Sequence, residues 1–341
     1  MGNLAILKSF EKYASNLALS TKNMSREEWL TARQTGIGGS DVSAIMGVNP
    51  YATAYDVYIS KTQPVEDTAG EPAYWGTTLE PVVATEFAKR NDLKIQNVNF
   101  MMRHPVHKFA VANIDRAVIN PEISGNVRFK DGKLTTDTIL EIKTASEYVA
   151  KDWGDEESDQ VPDQYMCQAQ WYMGVTDTQV CYMAVLIGGN KYRQYRIERN
   201  QELIDVLFEV AEDFWVNNVL VGVAPEATTL QNAKDKYPKH TPDAVLDVSI
   251  EDEAVEVFNE YVELKEAEKL LKKQIEAAQT KLICTIGDNE ALAIDGDIAV
   301  TYKAQVSNRF DSNSLKKDMP ELASKYIKQS ASRVMRVKWW I

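Results

Sequence analysis

Apolar positions along this chain recur at two spacings, and the change between them organises the sequence. Helical spacing comes first. Leu4, Leu7, Phe10, Tyr13 and Leu17 predict a helix in the segment to Lys22. Ser25-Arg26-Glu27-Glu28 reads as a capped helix start, with Trp29 and Leu30 facing inward. The glycine-rich turn from Thr35 to Asp41 leads into a helix with Val42, Ile45 and Met46 on one side, closed by Gly47 and Asn49-Pro50. Tyr55 to Lys61 predicts another helix, and a polar loop runs on to Pro72. Leu79 to Asn91 is a strongly periodic helix with Val82, Val83 and Phe87 as its buried face.

From about Asn97 the period shortens towards two. Phe109 to Ile114 is a β-like run ending at Asp115-Arg116. Thr138 to Lys143 alternates cleanly, with Ile139, Glu141 and Lys143 on one face and Leu140 and Ile142 on the other. Gly125 to Thr136 suits a hairpin between these runs. Pro162 to Met173 is helical, Gln179 to Ile187 a buried strand, Gly188-Gly189-Asn190 a turn, and Lys191 to Ile197 a further strand. Asn200 to Val219 is a long amphipathic helix that closes a first domain, residues 1–225. A polar linker, 226–244, and an extension, 245–341, come next. In the extension, Val257, Tyr261, Leu264, Leu271, Ile275, Ala278 and Leu282 alternate steps of four and three, broken once by Glu268. That is a coiled-coil rhythm, and equally the stripe of a helix packed on its own domain. A hairpin at Asp295-Gly296, a short helix from Ser312 and a strand from Arg333 to Trp340 complete the reading. The fold class expected is α/β: a mixed sheet flanked by helices, with a C-terminal helical arm and a small α+β unit.

Composition narrows the function classes. The chain has 341 residues, 44% hydrophobic and 26% charged, an ordinary globular mixture. Cys167, Cys181 and Cys284 are widely spaced, without the pairing of a zinc or iron–sulfur site. No apolar run reaches the roughly 20 residues of a membrane span, and no secretory signal is visible, so a cytoplasmic protein is expected. The formal net charge of −12 lowers the expectation of nucleic-acid binding. It does not remove it, because a divalent cation bound among carboxylates inverts the local field.

The chemistry centres on Asp115 and on Glu141-Ile142-Lys143. Period-two geometry puts Glu141 and Lys143 on one face. Two carboxylates and a backbone carbonyl can hold a hard cation through oxygen, and an ammonium beside them can orient a water or stabilise an oxyanion. Metal-assisted phosphodiester hydrolysis needs these parts. A strand of this composition is also compatible with a solvated face. His104 and His107 bracket a loop before the second strand and read as structural residues, with contact to metal or phosphate as the other use. Tyr51, Tyr55 and Trp75 suit core packing or base stacking. The basic tail (Lys316, Lys317, Lys325, Lys328, Arg333, Arg336 and Lys338) ends in Trp339-Trp340 and suits a solvated face or a contact with DNA or a partner.

Six segments resemble, in order, the YqaJ-type viral recombinase family, close to phage lambda exonuclease within the PD-(D/E)xK nucleases. They are Arg33 to Asp41, Asn49-Pro50-Tyr51, Gly76 to Pro81, Ala112 to Arg116, Leu140 to Ala145, and Tyr165 to Gln170, within roughly residues 25–225. The resemblance implies a restriction-endonuclease-like fold. It implies Asp115, Glu141, the Ile142 carbonyl and Glu80 around Mg²⁺, with Mn²⁺ able to substitute, and Lys143 as the catalytic lysine. Glu80 is also readable as a helix surface charge, with Glu86 a rival on the same helix. Gln168 and Tyr165 are similar to helix residues beside the site, or form an ordinary polar face. Arg33 and Ser40 are similar to residues that receive a 5′-phosphate, and Ser40 also suits a helix cap.

The implied activity is exonucleolytic degradation of the 5′-ended strand of duplex DNA, leaving a 3′ single strand. The implied partners are duplex DNA ends, a single-strand annealing protein of the RecT/Bet type, and further copies of the chain, with a trimeric ring among the arrangements. The implied setting is the cytoplasm of a bacterium carrying the phage or prophage. An endonuclease, a nuclease of other polarity, and a dormant DNA-end-binding protein are the alternatives.

Overall fold

A computed structural model describes residues 15–64, 70–156, 158–250, 252–328 and 332–337. Residues 1–14, with Leu4, Leu7, Phe10 and Tyr13, lie outside these. The expected helix does not continue to Lys22. Instead β1 (Ala18–Ser20) pairs antiparallel with a strand far along the chain, Ala18 opposite Met102. Residues at helical spacing express a weak local preference, and a ladder partner overrides it.

The capped start at Ser25 forms as its residues dictate. In α1 (Arg26–Arg33) the Glu28 N–H donates to Ser25 Oγ at 3.2 Å, and the Ser25 N–H donates to Glu28 Oε2 at 2.8 Å. Trp29 is half-buried under the guanidinium groups of Arg26 and Arg33, 4.6 and 4.9 Å from its ring centroid. α2 (Gly39–Ile45) ends at Gly47, whose φ of 75° suits a residue without Cβ. α3 (Ala54–Thr62) is capped reciprocally by Thr53 and Asp56. α4 (Glu71–Asn91) begins earlier than the periodicity predicts. Its inner face is Val83, Ala84 and Phe87, while Val82 is 61% exposed. The side of the helix that meets Leu140 and Ile142 is the one carrying Val83, Ala84 and Phe87, and Val82 lies off it.

The sheet strands come after it: β2 (Ile95–Gln96), β3 (Phe100–Arg103), β4 (Val111–Ala112), β5 (Arg116–Val118), the hairpin β6 (Phe129–Lys130) and β7 (Lys133–Leu134), then β8 (Thr138–Ala145). A 3₁₀ turn (Glu147–Asp152) and α5 (Asp163–Thr176) lead to β9 (Val180–Ile187) and β10 (Lys191–Glu198). α6 (Gln201–Phe214) continues into a π turn (Trp215–Leu220). A five-stranded sheet has the order β10-β9-β8-β5-β2, and a three-stranded sheet the order β1-β3-β4. β8 and β9 run parallel, Glu141 opposite Met183, because helix α5 carries the chain back between them. The other pairs are antiparallel, so the fold is mixed α/β.

Two apolar layers result. Leu140 and Ile142 pack with Val83, Ala84 and Phe87 of α4 on one face of the large sheet. Ile139 packs on the other with Ala117, Met183, Ala169 and Trp171. The run from Phe109 to Asp115, expected as one strand, is divided. β4 pairs with β3, Met102 opposite Ala112, and β5 pairs with β8, Arg116 opposite Leu140. Residues 113–115 cross from the small sheet to the large one.

The chain divides into two units at Lys236/Tyr237. α7 (Leu230–Lys236), within the stretch expected as linker, belongs to the first unit. It is fastened by Asn232, which accepts from Thr53 Oγ1 and donates to Asp56 Oδ1, both at 2.9 Å. The second unit contains α8 (Glu253–Ile286), the hairpin β11 (Ala291–Ile294) and β12 (Asp297–Thr301), then α9 (Ser312–Asp318) and α10 (Pro320–Lys325). Asp295 and Gly296, with φ of 51° and 92°, make the hairpin turn. The strand expected from Arg333 is absent among the described residues 332–337. Lys338, Trp339 and Trp340 lie outside the described residues.

Candidate active site

Asp115 stands where the chain changes sheets. Beyond Arg116 opposite Leu140 the β5–β8 ladder stops, which leaves the N–H of Ile142 without a strand partner. The Asp115 carboxylate fills that place: Ile142 N–H donates to Asp115 Oδ2 at 2.8 Å. In an extended strand the N–H and C=O of one residue leave by the same edge, so the Ile142 carbonyl opens on this side too. The Asp115 N–H in turn donates to Glu141 Oε1 at 3.3 Å.

Glu141 is 1% exposed, and Lys143 Nζ donates to its Oε2 at 3.0 Å. Gln168 Nε2 on α5 reaches the same oxygen at 3.4 Å and donates to Tyr172 Oη at 3.1 Å, so one turn of α5 braces the carboxylate. The Lys143 ammonium also lies 5.4 Å from the centroid of the Tyr165 ring, which stacks on Trp153. Burial pushes the Glu141 carboxyl up to about 8; the charge of Asp115 adds to this, and Lys143 opposes it. Two carboxylates thus face one ammonium in a nearly dry site. That imbalance, together with an all-oxygen donor set from Asp115, Glu141 and the Ile142 carbonyl edge, fits a hard divalent cation.

Glu80, on α4, lines the same cleft but is turned to Arg116, whose guanidinium donates to Glu80 Oε1 at 2.5 Å and to the Asp115 carbonyl at 2.6 Å. Burial and the Asp115 charge raise its pKa against the pull of Arg116. No three carboxylate, histidine or cysteine side chains converge on one point among the described residues. Glu86 pairs with Arg90 outside this cleft.

The cleft, of about 540 Å³, is lined by Asp115, Arg116, Glu80, Gln168 and Tyr172 together with Trp29, Arg33, Gly38 and Ser40. Arg33 donates to Ser40 Oγ at 3.2 Å and lies 3.8 Å from Asp41. Beneath them Lys61, 3% exposed, donates to Asp41 Oδ2 at 2.7 Å and to the Arg33 carbonyl at 3.1 Å. Burial alone would raise the Asp41 pKa, but Lys61 and Arg33 hold it below the usual value. Ser40 does not cap α2; that N-terminus uses Asp41, whose Oδ2 accepts from the Gly38 N–H at 2.8 Å.

Four residues of this site carry no role in the sequence reading. Arg116 and Asp41 sit beside assigned residues, and Tyr172 lies one helical turn beyond Gln168. The buried pairing of Lys61 left no sequence signal. The two histidines organise a turn: His104 Nδ1 accepts from the N–H groups of Val106 and His107, and both rings pack on Phe208. Tyr55 is buried, while Tyr51 and Trp75 are exposed.

The family model of the YqaJ-like viral recombinase domain matches residues 28–179. A Bacillus subtilis (strain 168) protein described as uncharacterized protein YqaJ is 34% identical over 335 residues, covering 96% of this chain and 98% of that one. Among solved structures, LHK-Exo in complex with dAMP is similar at a TM-score of 0.43 and 18% identity, over 62% of this chain and 97% of that one. The alkaline exonuclease LHK-Exo from Laribacter hongkongensis is similar at 0.42 and 19%, over 56% and 91%. A phage-related exonuclease from Haemophilus somnus 129PT is similar at 0.36 and 12%, over 53% and 94%.

Proposed function

The chain belongs to the YqaJ-like viral recombinase family, and from that premise we propose that it is a metal-dependent exonuclease of phage-type recombination. It degrades the 5′-ended strand of duplex DNA and leaves a 3′ single strand for an annealing protein. The observation that carries this reading is the cleft that joins two chemistries. Asp115, whose carboxylate is bonded to the Ile142 N–H beside the Glu141–Lys143 pair, lines it together with an arginine–hydroxyl pair, Arg33 and Ser40.

Asp115, Glu141 and the Ile142 carbonyl would hold Mg²⁺ or Mn²⁺. When bound, the cation polarises a phosphoryl oxygen and supplies water of lowered pKa. Lys143 holds its ammonium beside the reacting phosphate, where negative charge develops. Gln168 and Tyr172 keep Glu141 from rotating out of the dry face. Glu80, paired with Arg116, borders the cleft and would reach the cation only by exchanging that partner. Arg33 and Ser40 receive the terminal 5′-phosphate, with the buried Asp41–Lys61 pair fixing the arginine's approach. Tyr165 screens Lys143 from the neighbouring surface. The working assembly is a homo-oligomer acting on DNA ends in the host cytoplasm. Among the described residues, no helix is long and apolar enough to cross a membrane.

The test is digestion of linear duplex labelled separately at each 5′ and 3′ end, with and without Mg²⁺. Release from 5′ labels only in the presence of metal is expected. Cutting of a closed or singly nicked circle at the rate of a linear end would instead make the protein an endonuclease. Binding of ends without any cleavage would make it a dormant end-binding protein.

A further inference from the structure

Helix α8 runs 34 residues, and among them only Ile286, at its last turn, is buried. Its apolar seam is open: Val257 is 58% exposed, Leu264 60%, Leu271 55% and Ile275 56%. A solvated helix of this length has no reason to keep such a stripe unless something covers it.

Charge along the helix is segregated. Glu253 to Glu268 contains six glutamates and one lysine, whereas Lys269 to Ile286 contains four lysines and one glutamate. The helix dipole favours acids at the start and bases at the end, but that preference fades within a turn. Glu263, Glu266, Lys272 and Lys273 lie in the middle, beyond its reach. A polarised helix with an open seam complements itself when it is reversed. We propose that α8 is a self-association arm, which pairs antiparallel with α8 of a second copy of this chain.

The seam sets the register. With the two-fold axis between Lys269 and Leu270, Leu264 meets the partner's Ile275, and Val257 meets the partner's Leu282. Ala278 leaves room for the partner's Tyr261, a small residue against a large one. Beside the seam Glu260 faces the partner's Lys281. The break at Glu268 falls at the centre, opposite the partner's Leu271. There its carboxylate is already compensated within its own helix by Lys265 and Lys272. A parallel pair would place acid beside acid and base beside base along the whole length, and Tyr261 against Tyr261. The pairing uses no residue of the nuclease cleft and stands independently of the activity proposed above.

Disulfide trapping in the full-length chain tests both partner and direction. Cys284 is exposed and is first replaced by serine; Cys167 and Cys181 are buried. In that background Leu264→Cys and Ile275→Cys are prepared as separate proteins. Under mild oxidation each alone is expected to stay uncrosslinked, and their mixture to give a covalent dimer joining position 264 to position 275. Sedimentation is the second reading. Leu264→Asp should raise the dissociation constant of the arm contact by about 100-fold or more. Crosslinking of each single variant by itself would mean a parallel pair and overturn the proposal. An absence of crosslinks from the mixture, with a mass unchanged by Leu264→Asp, would mean that another segment or partner covers the seam, and overturns it equally.

Discussion

At the scale of single residues, the site is a set of groups that hold one another. Lys143 is 15% exposed on its side chain and bonded to Glu141. Lys143→Ala is expected to lower turnover by about 100-fold or more in protein shown by circular dichroism to be folded. Wild-type turnover in that variant would return Lys143 to a packing role. Excess EDTA should stop cleavage, and Mg²⁺ or Mn²⁺ should restore it; cleavage that persists in EDTA would remove the metal from the mechanism. The parent protein is expected to degrade 5′-phosphate ends faster than 5′-hydroxyl ends, and Arg33→Ala to equalise the two rates and leave the chemistry intact. Asp41→Ala leaves the buried Lys61 ammonium with a carbonyl alone, which is expected to cost about 3–5 kcal/mol of stability in a denaturant titration. That Glu141 and Lys143 share one face was legible because a strand's alternation displays it, whereas the bond by which Asp115 joins them crosses between two sheets. The Glu80–Arg116 pair was not legible, since nothing local says which of several cations a helix-borne glutamate will meet.

Among the elements, those with strong local signals formed where the sequence placed them. The Ser25–Glu28 capping box, the Asp295-Gly296 turn and the alternating Thr138–Lys143 strand each rest on neighbours in sequence. The misreadings share a cause. β1 exists because of β3, the split after Ala112 exists because two different sheets claim the run, and Val82 is outside because Leu140 and Ile142 meet the side of α4 that carries Val83, Ala84 and Phe87. Each is decided by tertiary packing, which periodicity cannot see. The seating of α2 on α5 is similarly tertiary. A Cβ added at Gly39 would stand 2.7 Å from Gln168 Cγ and 2.8 Å from Tyr172 Cε1. Gly39→Ala should therefore destabilise the protein by about 1–3 kcal/mol. It should also reduce turnover, because the two side chains that must move brace Glu141. A variant with full turnover would show that this bracing is dispensable.

At the scale of the whole chain, the division at Lys236/Tyr237 places Asp115, Glu141 and Lys143 in one unit and α8 with the C-terminal hairpin and helices in the other. A chain ending at residue 240 keeps α7 and its Asn232 contacts with Thr53 and Asp56. It is expected to fold, to retain metal-dependent cleavage of short duplex, and to lose mass in light scattering. A soluble, folded but inactive product would place part of the catalytic unit beyond residue 240. The net charge of −12 belongs to the sum of both units, and α8 shows how little a sum reveals: its halves carry opposite excesses.

The place of Asp115 in the ladder has a thermodynamic consequence. A carboxylate on a free side chain loses rotamer freedom when a ligand arrives, at roughly 0.5–1.5 kcal/mol for a side chain immobilised on binding. Here Oδ2 is already tied to the Ile142 N–H, so folding has met that entropy cost before any ligand is present. The same bond that finishes the edge of the sheet makes the site preorganised.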